Sequence, residues 1–246
     1  MSGSGRLAEL TWPEAAQLVP PEDGALLVIP LGACEQHGAH LPLGTDTMIA
    51  SALSLRLAGR RHDVCVGPAL PYGASGEHAG FTGTISMGLD ALRSVIIELI
   101  RSADAFSGVV LLSAHGGNAT AIADAISLLH REGRRVMGWA PSASAAAAAS
   151  GHPSDAHAGF VETSVLLAID PDLVRADRAA IGDMRPLPEI LPDLRAGGMA
   201  AVAPSGVLGD PSEASAEAGA LILDAWVDDL VAAVDRWRRS PGRVGG

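Results

Sequence analysis

The chain contains no lysine; all seventeen of its basic residues are arginine. That absence removes three large classes at once: lysine Schiff-base catalysis, lysine-anchored pyridoxal phosphate and Walker A phosphate loops. Cysteine is scarce too. Cys34 and Cys65 are the only two, and they do not stand in a paired spacing, which gives no disulfide framework and points to a reducing, cytoplasmic setting. No apolar stretch reaches the length of a membrane span, and residues 1–15 lack the apolar core of a signal peptide, so the expectation is a cytoplasmic protein with no membrane partner. Positive charge is short as well. With a net charge of −11 and basic pairs only at Arg60-Arg61, Arg134-Arg135 and Arg238-Arg239, the expected partners exclude nucleic acid, and an acidic substrate would need local help.

What is present is apolar bulk in a regular order. The 246 residues, 48% hydrophobic, suffice for one domain spanning 1–246, and no linker divides them. Apolar runs at 26–31, 64–70, 109–112 and 136–140 read as buried strands. Between them lie helical patterns: one ending near Ala58, one over 89–106 with a stripe of Leu92, Val95, Ile96, Leu99 and Ile100, and one ending at Glu132 with Ile122, Ile126 and Leu129 inward. A short amphipathic helix is expected over 7–18, leading through Pro20-Pro21 into the first strand. The alanine-rich 142–150 suits a short helix or a loose segment, and 213–238 a closing helix. Residues 173–199, with Pro186, Pro188 and Pro192, read as irregular chain that wraps the surface or meets another subunit. Strands alternating with helices, without hairpin signals, predict an α/β fold: three layers, a mostly parallel sheet with helices on both faces.

The chemistry begins where the first strand ends. Past Gly32 the chain offers Glu35 and His37, two apart and so on one side of extended backbone, and then Asp46 at the start of a helical pattern. Alone, Asp46 reads as a helix cap. Two carboxylates converging from one loop would raise each other's pKa unless a cation joins them. Oxygen and imidazole ligands accept Zn²⁺, Fe²⁺ or Mn²⁺ alike. A second strand, 109–112, empties into His115-Gly116-Gly117-Asn118 at the same sheet edge, where open parallel sheets bind ligands. Glu35, His37, Asp46 and His115 together suggest a hydrolase with two divalent metal ions, against the alternative that His115 is a satisfied core histidine.

Three segments carry a resemblance: E-x-H-G-x-H-L-P-L-x-T-D-T at 35–47, H-G-G-N at 115–118 and H-A-G-x-x-E-T-S at 157–164. They resemble the creatininase family of metal-dependent amidohydrolases. The resemblance implies a creatininase-like fold, a homo-oligomer, Asp46 bridging two ions, Glu35 and His115 completing one site and His37 serving the other. It also favours His157 as the proton carrier for a leaving amine over a capping role. Where creatininase proper, which the chain resembles less, has a glutamate as second-metal ligand two residues after the histidine that matches His115, this chain has Gly117. Glu162 is the expected replacement as metal ligand; a general base and a first-turn carboxylate are its other readings.

The last third of the chain, 181–198 and 205–219, is most similar to the family branch that processes the mycofactocin precursor peptide. That similarity implies a peptidase releasing a C-terminal Val-Tyr dipeptide, rather than a hydrolase of a small cyclic amide or formamide such as creatinine. A metal-binding scaffold without activity is the third reading. Glu77 and His78, in a long glycine-rich loop, read either as substrate or ligand-orienting contacts or as an ordinary exposed pair. Cys34 as a nucleophile is disfavoured because alternation points its thiol away from Glu35. His62 and His130 lie in charged, solvated segments, and no role is evident for His40 or His152.

Overall fold

The computed structural model describes residues 5–18 and 24–240. Strand β1, Leu26–Leu31, is buried at all six positions. Helix α2 (Thr45–Arg60) returns the chain to β2 (Val64–Val66), α3 (Leu89–Arg101) to β3 (Gly108–Ser113), and α4 (Ala119–Arg131) to β4 (Val136–Trp139). The sheet order is β2-β1-β3-β4, and every pairing is parallel. Because the chain winds outward from β1 to β2 but continues on the other side through β3 and β4, the order reverses between β1 and β3. Ligands bind at the strand ends beside such a reversal.

Alternation along the strands divides the core. Leu26, Val28, Val110 and Leu112 pack with α2, α5 (Ala143–Ser150), α6 (Phe160–Ile169) and α9 (Ala216–Arg239). Leu27, Ile29, Leu31, Val109 and Leu111 face the opposite way, into α3 and α4. A strand with both faces covered by helices has no use for polar residues, which is why the strands read as unbroken apolar runs. The three-layer α/β expectation therefore holds.

Several local expectations need correction. Residues 7–18 form a 3-10 turn (Leu7–Glu9) and a separate helix α1 (Trp12–Gln17), neither burying a residue; the link through Pro20-Pro21 lies outside the described residues. Strand β2 stops at Val66, since beyond it only Leu70 bridges back, to Leu31. On α3 the inward stripe is turned: Ile97 is buried and Leu99 is 40% exposed. Residues 173–199, expected to be irregular, contain α7 (Leu187–Gly197) and the start of α8 (Met199–Val202). Pro188 is tolerated in the first turn of α7. Pro192 removes a helix hydrogen bond, and packing of Ile190, Leu194, Met199 and Leu208 offsets that loss.

Candidate metal centre

The turn leaving β1 is set by Gly32, where a Cβ would lie 2.1 Å from Thr47 Oγ1. Only glycine lets the first turn of α2 close against the strand end. Asp46 sits inside that turn rather than capping it; the capping position is Gly44, and Thr45 Oγ1 donates to Pro42 O at 2.7 Å. The carboxylate of Asp46 is thereby free to face Glu35 and His37, and all three are buried. From the neighbouring strand, the loop after β3 brings His115 into the same space. Asn118 ties the loops together: its Nδ2 donates to Gly32 O at 3.0 Å, and its Oδ1 accepts from Ala74 N at 3.0 Å.

Hydrogen bonds to carbonyls fix the histidine tautomers, because a carbonyl only accepts. His37 donates through Nδ1 to Glu35 O at 3.1 Å, which turns Nε2 toward Asp46 Oδ1 at 3.3 Å and Glu162 Oε2 at 3.8 Å. His115 donates through Nε2 to Ala74 O at 3.0 Å, which turns Nδ1 toward Glu35 Oε1 at 3.2 Å and Asp46 Oδ2 at 3.6 Å. His157 donates through Nε2 to Gln36 O at 2.8 Å and keeps Nδ1 toward Glu35 Oε1 at 3.9 Å. Metal-binding histidines show this same arrangement, with one ring nitrogen anchored and the other offered inward.

The carboxylates offer lone pairs in return. Both oxygens of Glu35 and Oδ2 of Asp46 are buried without a hydrogen-bond partner, a costly state for an anion unless a cation neutralises it. Ligand atoms of Glu35, Asp46 and His115 lie within 4.8 Å of one another, as do those of His37, Asp46 and Glu162. The two sets share Asp46. A third set, Glu35, His37 and His157, overlaps both. The donor set of carboxylate oxygens and imidazole nitrogens fits divalent Zn, Fe or Mn.

Electrostatics mark the same atoms. Burial would keep His37 neutral, yet Asp46, with Glu162 and Glu35 behind it, raises its pKa to about 10. His115 is raised against burial to about 9 by Glu35 and Asp46. Burial works against ionised Glu35, but His115 foremost holds its carboxyl well below the usual range. Glu162 goes the other way: enclosure pushes it up to about 7 despite His37. His157 is driven well below its ordinary value by burial, and by His37 and His78 beside it.

Each residue singled out in the sequence can now be placed. Glu35, His37, Asp46, His115, His157 and Glu162 converge. Glu162 Oε2 also accepts from Ala158 N at 2.6 Å, holding a left-handed turn at Ala158, where φ is 52°. His78 proves buried, not an exposed loop residue, with Nε2 at 3.5 Å from Glu35 Oε1. Gln36 turns away from the carboxylates, as alternation requires, and its amide donates to His78 Nδ1 at 2.9 Å. Sequence reasoning gave Gln36 no part; an amide between two ligand-type residues was the available signal. His40 is a buried support that meets Thr163 Oγ1 at 2.9 Å. Cys34 points out, its Sγ 3.5 Å from Gly83 O.

Gly117 turns out to be sterically required. A Cβ there would lie 2.3 Å from Ala74 O, 2.4 Å from His115 Nε2 and 2.8 Å from Glu77 Oε1. No carboxylate can be supplied from this position without displacing the bond that orients His115.

Two cavities meet at the centre. One, of about 470 Å³, is walled by Ile122, Ile126, Trp139 and Trp226 and reaches His115 and Glu162. The other, of about 610 Å³, reaches Glu35, His78, His115 and His157 and is walled by α7.

Comparison with known proteins agrees with this architecture. The family pattern described as "Creatininase: Creatinine amidohydrolase" matches residues 8–234. A mycofactocin precursor peptide peptidase of Mycobacterium ulcerans (strain Agy99) is 46% identical over 96% of this chain and 94% of its own. A creatinine amidohydrolase of Pseudomonas putida is 30% identical over 95% of this chain and 97% of its own. Among solved structures, a creatininase variant described as Zn-Zn type superposes with a TM-score of 0.83 at 29% identity, covering 98% of this chain and all of that one. With the family pattern matched over most of its length, the chain belongs to the creatininase family of hydrolytic enzymes.

Proposed function

We propose that the centre holds two divalent ions, one between Glu35, Asp46 and His115 and the other between His37, Asp46 and Glu162, and that it hydrolyses a peptide bond. The observation that carries this reading is the sharing of Asp46 by two ligand sets, with Asp46 Oδ2 and both oxygens of Glu35 buried without a hydrogen-bond partner. Such ions, when bound, lower the pKa of water and polarise a carbonyl. The protein's own groups supply the rest. Asp46 has two oxygens aimed at different histidines and so spans both positions. The His157 ring, anchored through Nε2 on Gln36 O, turns a proton-free Nδ1 toward the centre; that nitrogen takes a proton from the attacking water and then hands it to the departing nitrogen. Gln36 and His78 hold the histidine wall in place.

The substrate class follows from similarity. The 46% identical relative is named for the mycofactocin precursor peptide, and two cavities opening on one centre give an extended chain a way in and a way out. We assign the substrate as that precursor, cleaved near its C-terminus with release of a Val-Tyr dipeptide. Free Cys34 and Cys65 support a cytoplasmic setting, and no helix among the described residues is long and apolar enough to cross a membrane. Exposed Ile181, Met184 and Leu187 support a homo-oligomer. The deciding experiment incubates metal-loaded enzyme with modified and unmodified precursor, creatinine and a formamide, and reads products by mass spectrometry. Dipeptide release supports the proposal, and creatinine turnover without a peptide product overturns it.

A further inference from the structure

Arg195 stands in the last turn of α7, and among the described residues it has neither a hydrogen bond nor an ion pair. Nearby Arg185, by contrast, is held by Asp183 at 3.0 Å. Positions 187, 191, 194, 195 and 198 repeat at helical spacing on one face of the helix, and that face forms a wall of the 610 Å³ cavity whose floor holds Glu35, His115 and His157. Among the described residues, Arg195 is the one arginine lining either cavity that reaches the centre. Arg195 is solvent-exposed and lines this space, so in a chain of net charge −11 its guanidinium is a local cation open to an anionic substrate group. The rest of the wall is apolar, with Leu187, Leu191, Leu194 and Met199.

The geometry points to Arg195 as the residue that selects the free C-terminal carboxylate of a peptide whose last side chains rest on the leucines of α7. The assignment rests on the peptidase reading and gives the substrate a direction. His157, the proton source for the departing amine, lines this cavity and not the one walled by Trp139 and Trp226. The departing fragment therefore occupies the α7 side, and the remainder of the peptide the tryptophan side. Two extended residues span at most about 7 Å, a length that keeps the terminal carboxylate within the same cavity as the scissile bond. Glu35 and Glu77 also border this space, so an anion gains there only by engaging the guanidinium, whose planar fork matches a carboxylate.

Two probes, dipeptide Val-Tyr and its C-terminal amide, are titrated into metal-loaded protein by calorimetry, and the corresponding full-length peptide acid and amide are compared as substrates. Wild-type protein is expected to bind the acid about tenfold or more tightly than the amide and to show the same ratio in KM. Arg195→Gln removes that ratio by weakening the acid alone, with kcat within about twofold, and Arg195→Lys restores part of it. Equal affinity for acid and amide in wild type, or a ratio unchanged in Arg195→Gln, overturns the assignment. Carboxylate-dependent binding that Arg195→Gln abolishes, without any peptide cleavage, would uphold the Arg195 site and overturn the peptidase reading instead.

Discussion

Asp46 Oδ1 lies 3.3 Å from His37 Nε2, the nitrogen that remains once His37 Nδ1 has been anchored on Glu35 O. The other oxygen, Oδ2, faces His115 Nδ1 at 3.6 Å. A single carboxylate thus serves two imidazoles from opposite edges, and its removal should empty both positions together. Asp46→Ala is expected to lose both ions, as read by metal analysis of protein prepared without chelator. Full metal content in that variant would remove the bridging assignment.

Glu162 and His157 should separate cleanly. Glu162 belongs to the set with His37 and Asp46, so Glu162→Gln should deplete that position while the set around Glu35 and His115 keeps its ion. His157→Ala should retain both ions and slow turnover by roughly 10²–10⁴, the range of a lost general acid. If His157→Ala strips metal while Glu162→Gln holds it, the two roles are exchanged; the third ligand set, which includes His157, is the reason to measure both.

How much of this was readable beforehand depended on whether a local pattern carried it. Strands β1 and β3 are apolar runs with both faces buried, and Glu35 and His37 share a side by simple alternation, so both were legible from the sequence. Helix α7 was not, because Pro186, Pro188 and Pro192 argue against a helix and only its packing on Met199 and Leu208 reveals why it forms. His78 was hidden for a different reason. Its loop has no period, and its burial against Glu35 depends on long-range closure of the 73–88 segment over the strand ends. Arg195 lies in the same proline-rich stretch, where no apolar period sets the direction of a side chain.

Proton uptake offers a test independent of turnover. In metal-free protein the neighbouring carboxylates raise His37 to about 10 and His115 to about 9, so both imidazoles are protonated at pH 7. Loading divalent ions at that pH should release on the order of two protons per chain, and apparent metal affinity should rise with pH. The linkage has a definite sign. Because both folded values lie above the ordinary 6.5, the stabilisation of metal-free protein by these pairs is complete below about pH 6.5. It is lost as pH climbs through about 9 to 10. Titration calorimetry in two buffers of different ionisation enthalpy counts the protons; release of none would mean that the imidazoles are already neutral.

The position that separates this chain from the glutamate-bearing pattern gives the sharpest steric prediction. Restoring the side chain with Gly117→Glu looks, on paper, like a route to a creatininase-type second site. The structure predicts the reverse. The new Cβ would sit 2.3 Å from Ala74 O and 2.4 Å from His115 Nε2, inside the 3.0 Å hydrogen bond that fixes the His115 tautomer. Overpacking of this kind costs about 1–3 kcal/mol, and the displaced imidazole no longer presents Nδ1 to Glu35 and Asp46. Gly117→Glu is therefore expected to lower the melting temperature, deplete the Glu35–Asp46–His115 position and gain no creatinine hydrolysis. Gly117→Ala should move stability and metal content in the same direction, since the clash begins at Cβ and owes nothing to charge. Thermal unfolding with metal analysis of both variants decides the matter: a Gly117→Glu protein with full metal content and unchanged stability would show that the loop can yield, and the steric account of this glycine would fall.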